Sequence, residues 1–378
     1  MAADRSLSII DHVGDLPDPR LDRTRRHDLL DIVVIAICAV LCSAETWEDV
    51  EEFGRSKAAW LQRFLRLPNG IPSHDTFNRV FARLDPTALQ ACLLGWLRAV
   101  SAAVGVDQIG IDGKTLRRSF DRAGAKTALH LVSAWATAAR LSLGQVAVAE
   151  KSNEITAIPR LLELLDVAGA LVTIDAMGCQ KEIAAAIRAA GGDYVLAVKD
   201  NQGRLYDDVL ACFERHLDTA GATAGPCWHD TIDHGHGRSE RRTVSVVTAP
   251  QGIRDQALWA DLSAVCMVLS ERTANGTTTT EARYYIGSRA GTAAEYGGWV
   301  RSHWGIENGL HWVLDVCFRE DDSRLRVGHG PENLALLRRL PLSLLKQEPS
   351  SHSIHTKRLR AGWDENYLLA VLCGNAGD

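Results

Sequence analysis

The chain has 378 residues, 46% of them hydrophobic and 24% charged, with a formal net charge of −5. That is the composition of an ordinary folded protein with room for two or three domains. Its longest apolar stretch, Ile32 to Ala44, covers 13 residues. A membrane span needs roughly 20, so this stretch predicts a buried helix and no membrane partner.

Nine scattered cysteines without a CxxC pair argue against a disulfide framework or zinc ribbon, and no basic-then-apolar leader opens the chain. Both fit a reducing cytoplasm. Net acidity argues mildly against a nucleic-acid partner. Basic clusters at Arg20–Arg26, Lys114–Arg118, Arg238–Arg242, Arg319–Arg326 and Lys357–Arg360 could still form a local binding face if the fold gathers them.

Residues 1–27 are polar, with Pro17 and Pro19, and read as a flexible arm. Asp28 is placed to cap a helical stretch that reaches about Gly54, and Ala58 to Leu67 continues the helical signal. Pro68-Asn69-Gly70 is a turn, Ser73 caps a short helix from His74 to Leu84, and Asp85-Pro86 starts a longer one ending near Val104. Residues 28–105 are therefore an all-helical N-terminal domain. Short helix, turn, short helix is also the outline of a helix-turn-helix, with Asn78, Arg79 and Arg83 on the exposed face. A plain helical bundle reads equally well.

From Gln108 the pattern changes. Ile109 and Ile111 alternate with Gly110 and Asp112, a half-buried strand that ends near Asp112, with Gly113 free to turn. Strand signals follow at 128–136 and 143–149. A polar turn holding Glu154 precedes a helix opened by Pro159. A second apolar strand, Ala170 to Ile174, runs into Asp175, then a helix 181–190 and a strand 193–199. Three strands, helix, strand, helix, strand is the order of a ribonuclease-H-like α/β fold. In that order the first and fourth strands are neighbours, which would bring Asp112 beside Asp175. Two acidic strand ends in one sheet suit a hard cation such as Mg²⁺.

Residues 203–290 read as a β-rich insertion, with strands near 244–248, 264–270 and 283–286. His229, His234 and His236 lie among Asp230, Asp233 and two glycines there, and an ordinary turn explains them better than a metal cluster. Tyr296 to Asp315 predicts a helix with Glu307, His311 and Asp315 on one face, beside Arg301 and Trp304. The catalytic domain then spans 106–348 and closes with a helix from 333 to 346. Residues 349–378 are a C-terminal tail, a basic polar linker followed by a short apolar end.

Ile111-Asp-Gly-Lys-Thr-Leu-Arg117, Lys151-Ser-Asn-Glu-Ile155, Thr173-Ile-Asp-Ala-Met-Gly-Cys-Gln180, His236-Gly-Arg238 and His303-Trp-Gly-Ile-Glu-Asn308 occur in order with Pro72-Ser-His-Asp-Thr-Phe77 and Leu129-His-Leu-Val-Ser-Ala-Trp135. In these stretches the chain resembles the DDE transposases of bacterial insertion sequences, in the subgroup of H-repeat-associated proteins. The resemblance runs from about Asp28 to Leu372.

It implies Asp112, Asp175 and Glu307 as catalytic residues that bind two Mg²⁺ (or Mn²⁺) ions. The implied reaction is cleavage and joining of DNA at the inverted repeats of the protein's own element. Lys114, Arg117, Arg118, His236, Arg238, Arg242, Arg301, His303, Trp304 and His311 are the expected DNA contacts. The expected partners are the element's ends and target DNA, with a homodimer when two ends are paired, in the bacterial cytoplasm at the nucleoid. The wider group often carries Tyr and Arg seven and four residues before the Glu and Lys seven after it. Here Val300, His303 and Leu314 stand there. The alternatives are a metal-dependent nuclease on the same scaffold and a silent copy that only binds DNA.

Overall fold

A computed structural model describes residues 8–100, 106–120, 127–149, 152–219, 228–235 and 237–374. Helices come first: α1 (Ser8–Val13), α2 (Leu29–Leu41), α3 (Trp47–Ser56), α4 (Ala58–Leu61), α5 (His74–Phe81) and α6 (Pro86–Val100). Asp28 and Ser73 stand at the expected N-cap positions of α2 and α5, although neither side chain bonds a backbone N–H. In α2 every residue but Leu30 is buried, which is why its sequence carries no polar stripe. Trp47 of α3 stacks on Phe81 and Phe77 of α5 at 4.8 and 6.1 Å.

Residues 8–27 differ from the loose arm expected for them. Ile9, Val13 and Leu16 are buried at helical spacing, and the Arg20 guanidinium is held 2.8 Å from the Asp18 carboxylate. The apolar face is one turn long, too short to stand out among the surrounding polar residues.

The strands form one mixed sheet. β1 (Gln108–Thr115), β2 (His130–Ala136) and β3 (Leu141–Ala147) are an antiparallel meander. α7 (Glu154–Leu162) leads to β4 (Leu171–Ile174), and α8 (Lys181–Ala189) leads to β5 (Asp193–Val198). β1, β4 and β5 are parallel neighbours, as the first-beside-fourth expectation requires. α7 begins at Glu154, with Asn153 extended at its N-cap, and Pro159 lies inside it. Asn153 is the stronger start signal, and the expectation of a turn there was wrong.

The segment expected to be β-rich opens with a helix, α9 (Gly203–Thr219). Leu205, Val209, Cys212 and Phe213 make the buried stripe that drives it. β6 (Trp228–Gly235), β7 (Arg238–Thr248), β8 (Ala264–Ala274) and β9 (Thr277–Gly287) follow. They do not stand apart. β9 pairs antiparallel with β5, so among the described residues the sheet has nine strands, in the order β3-β2-β1-β4-β5-β9-β8-β7-β6.

Side chains alternate between the two faces. Ile109, Ile111, Val172, Ile174 and Leu196 pack with Ile158, Ile183 and Val209 on one face. Leu171, Val195, Val246 and Tyr285 pack with Tyr296 and Val300 of α10 (Ala293–His303) on the other. α11 (Trp312–Phe318), α12 (Gly330–Gln347), α13 (Ile354–Trp363) and α14 (Glu365–Leu372) close the chain. α2, α5, α11, α12 and α14 share one core.

The supposed basic linker is mostly α13, and its cations turn inward. Lys357 donates to the carbonyls of Leu345 and Glu348 at the end of α12, and Arg358 donates to Val40 while lying 4.0 Å over the Phe318 ring. No helix among the described residues is long and apolar enough to cross a membrane.

One ion network centres on a carboxylate with no exposure. Glu320 accepts from Arg339 at 2.7 Å and from Lys114 at 3.2 Å, and Lys114 also bonds Asp315. Burial pushes the Glu320 carboxyl up, but Arg339, Lys114 and Arg338 outweigh it and bring it down to about 2. A lowered carboxylate pKa contributes stability above the unfolded value of 4.5. That contribution is lost as pH falls from there toward about 2. Glu320→Gln leaves the buried Arg339 without its carboxylate and Lys114 with Asp315 alone, and is expected to cost about 3–5 kcal/mol at pH 7. Urea denaturation measures it, and a loss that does not shrink below pH 4.5 would show that charge is not the cause.

Candidate active site

Because Ile109 and Ile111 face α7, Asp112 faces α10 and α11. Ile111 pairs with Ile174, so Asp112 and Asp175 follow matched positions on neighbouring parallel strands. Asp175 caps a single 3-10 turn, with Oδ1 accepting from the N–H groups of Met177 (3.1 Å) and Gly178 (3.4 Å). Both aspartates line a cleft of about 570 Å³, and Glu307, Lys199, Arg283 and His303 line it too.

Glu307 comes from an irregular passage. Between α10 and α11 the residues Glu307–His311 form a π-helical turn. The wider turn changes the spacing that put Glu307, His311 and Asp315 on one face. Glu307 is exposed in the cleft. His311 is buried with Nδ1 3.4 Å from the Asp112 carboxylate, and Asp315 pairs with Lys114. Gly309 allows this approach, since a Cβ there would stand 3.2 Å from the Trp135 ring of β2. His303 lies 3.0 Å from the Thr173 hydroxyl; burial pushes its pKa below the usual value, against the pull of Asp112.

Among the described residues no three His, Cys, Asp or Glu side chains stand close enough to hold a metal ion as they are. The donor chemistry nevertheless suits a hard divalent cation. Asp112, Asp175 and Glu307 have no Lys or Arg within ion-pair distance among the described residues. The Asp175 carboxyl is pushed up by burial and then by the charges of Glu154 and Asp112.

Several expected DNA contacts sit differently. Lys114 turns inward to the buried network. Arg117 and Arg118 are exposed but paired with Asp321 and Asp322, and Arg301 and Arg242 share Asp233. Arg238 is exposed on β7. Trp304 is 42% exposed, with the Arg283 guanidinium 5.1 Å from its ring. His303 and His311 face the acidic groups of the site. His236 lies outside the described residues.

Glu154, expected in a plain polar turn, belongs to this neighbourhood. Its Oε1 is 2.7 Å from His130 Nε2, and His130 Nδ1 is 2.7 Å from the Thr115 hydroxyl. The pair crosses β1 at Gly113, where a Cβ would lie 2.1 Å from the Glu154 carboxylate. Gly113 therefore supplies room and not a turn, and β1 continues to Thr115. The usable signal was the Ser152-Asn153-Glu154 capping pattern, which makes Glu154 the first residue of a helix.

A family profile described as "Transposase DDE domain" matches residues 105–342, and one described as "DDE_Tnp_1-associated" matches residues 10–97. The H repeat-associated putative transposase YhhI of Escherichia coli (strain K12) is 38% identical over 97% of this chain and 98% of its own length. An uncharacterized protein in the dhlA 3′ region of Xanthobacter autotrophicus is 45% identical over 72% of this chain and 92% of its own. A piggyBac transposase synaptic complex with hairpin DNA aligns over 95% of this chain and 77% of that one, at 10% identity and a TM-score of 0.40, too low to carry an argument.

Glu154→Gln keeps an acceptor for His130 and removes the charge. Asp175 is then expected to titrate closer to its ordinary 3.8, observable by carbon-13 NMR of its carboxyl. A raised carboxylate pKa costs stability once pH passes the folded midpoint, and costs nothing below the unfolded value. The variant should therefore melt higher than wild type at pH 7 without divalent cations, and no higher at pH 3.

Proposed function

The chain belongs to the DDE transposase family, alongside H-repeat-associated proteins, and from that premise we propose that it cuts and joins DNA at the inverted repeats of its own element. The observation that carries this reading is the Ile111–Ile174 pairing, which sets Asp112 beside Asp175 in a cleft that Glu307 also lines. An antiparallel meander followed by two parallel strands supports a ribonuclease-H-like catalytic domain within 106–348. The helices of residues 28–105 would be its DNA-recognition partner.

Asp112, Asp175 and Glu307 would hold two Mg²⁺ or Mn²⁺ ions. When bound, such ions supply activation of the attacking oxygen and stabilisation of the leaving oxygen in an in-line displacement. The protein's own groups do the positioning. Backbone N–H groups hold one oxygen of Asp175, His311 stands against Asp112, and His303, its pKa lowered by burial, stands beside Thr173. Lys199 offers the cleft a cation toward a phosphodiester, whereas Arg283 is held by Glu281 on the same wall. With water as attacker, the element's end is nicked and a 3′-OH is released. With that 3′-OH as attacker, the end is joined to target DNA. A homodimer would hold the two ends, in the bacterial cytoplasm.

Labelled DNA bearing the element's end tests this. A Mg²⁺-dependent nick at the end is expected, abolished by EDTA and reduced on the order of 10²-fold or more in Asp175→Asn and in Glu307→Gln, the scale of losing one group that stabilises the reacting oxygen. Nicks spread over any DNA would make the protein a nuclease. End binding without a nick in the wild type would make it a silent binder.

A further inference from the structure

A second cavity, of about 600 Å³, lies between the helical front of the chain and the segment after α11. The start of α3 and the His74–Asn78 face of α5 form one wall, Arg319 to Leu325 form the other, and Arg338 lies at the floor. Arg338 is 2% exposed, in a helix whose neighbouring positions Leu334, Leu337 and Leu342 are core. Its neighbour Arg339 takes the Glu320 carboxylate, and no hydrogen bond or ion pair joins Arg338 to any described residue. A buried cation without a partner is costly, and an apolar side chain would serve the helix better. Burial pushes the Arg338 pKa down, opposed by the charges of Glu320, of Glu45 on the cavity wall and of Asp315. Asn78, on the wall, has its own amide oxygen buried without a partner.

We infer that this cavity is a phosphate site, and that the phosphate is one of the DNA backbone, seated on Arg338 with Arg324 at the mouth. The DNA assignment rests on the transposase reading. Arg324 is exposed and has no ion pair among the described residues, whereas Arg319 is already held by Glu45 and Asp322. Glu45, Glu48, Asp75 and Asp322 also line the cavity, Glu45 and Asp322 being taken up by Arg319, so the site has room for one anionic group and is no broad basic face. Arg79 and Arg83 are exposed on and just beyond α5. A strand running along α5 would pass the mouth and bring one phosphate within reach. Such a contact would link the front helices to the segment just after the helix that follows Glu307.

The test is binding of end DNA to the full chain without divalent metal, by fluorescence anisotropy over a range of salt. Arg338→Met is expected to bind about tenfold more weakly, with the slope of log K against log salt reduced by about one, as for one lost phosphate contact. Arg338→Lys should recover part of both. Arg324→Ala, at an exposed position, should reduce the slope without altering melting, and covers the case in which Arg338→Met fails to fold. Wild-type affinity and slope in both Arg338→Met and Arg324→Ala would overturn the site. A thermal shift by inorganic phosphate that Arg338→Met abolishes, with DNA affinity unchanged, would overturn the DNA assignment in favour of a free anion. Wild-type protein that binds no end DNA would sink the transposase reading along with it.

Discussion

The buried contact of Lys114 with Asp315 and Glu320 is the constraint on which the geometry of the site depends. Lys114 stands two residues beyond Asp112 on β1, Asp315 lies in α11 just after the π-helical turn that starts with Glu307, and Glu320 is anchored by Arg339 of α12. Lys114 thereby joins β1 to α11 through Asp315 and to α12 through Glu320, a carboxylate with no exposure. Desolvation makes such a network expensive to break and gives it little tolerance for sliding. Strand and helix are held in one relation, and the two walls of the cleft inherit it.

The same logic explains why Lys114 was misread. In the sequence it sits with Arg117 and Arg118, and a run of cations beside an Asp reads as a surface for phosphate. Direction along a strand decides otherwise. Lys114 shares the face of Asp112, toward α11, and is drawn into the interior, while Arg117 and Arg118 lie past the strand and stay exposed. Lys357 and Arg358 repeat the pattern at the other end of the chain, where carbonyls at the end of α12 and of Val40 receive buried cations. Composition reports charges, and only packing says which of them face solvent.

What was legible follows from periodicity. The apolar alternation around Asp112 and the apolar run into Asp175 set two strand ends, and the order of elements made them neighbours, as the Ile111–Ile174 pairing has it. The helical front was readable for the same reason. Contacts that depend on three dimensions were not. The α9 stripe was overlooked inside a segment dominated by Thr and Gly. Glu154 was hidden because its importance arises across Gly113, from a helix far along the chain on the face opposite Asp112. Glu154 and Asp112 thus bear on Asp175 from two sides of one strand, and the repulsion among them is what a cation would relieve.

The π-helical turn gives this arrangement its asymmetry. A regular helix would have stacked Glu307, His311 and Asp315 one above another. The wider turn sends His311 to Asp112 and leaves Asp315 for Lys114, so two of the three polar groups are used to hold the helix against β1. Glu307 alone is left exposed in the cleft. The aspartates sit within β1 and just past the end of β4, two central strands of the sheet, whereas the glutamate sits where helix geometry is least regular. The hydrogen bonds of a π-helical turn are displaced from the α-helical pattern, and here that displacement separates Glu307 from His311 and Asp315. The cleft thus takes two carboxylates from the sheet and one from the helix that faces it.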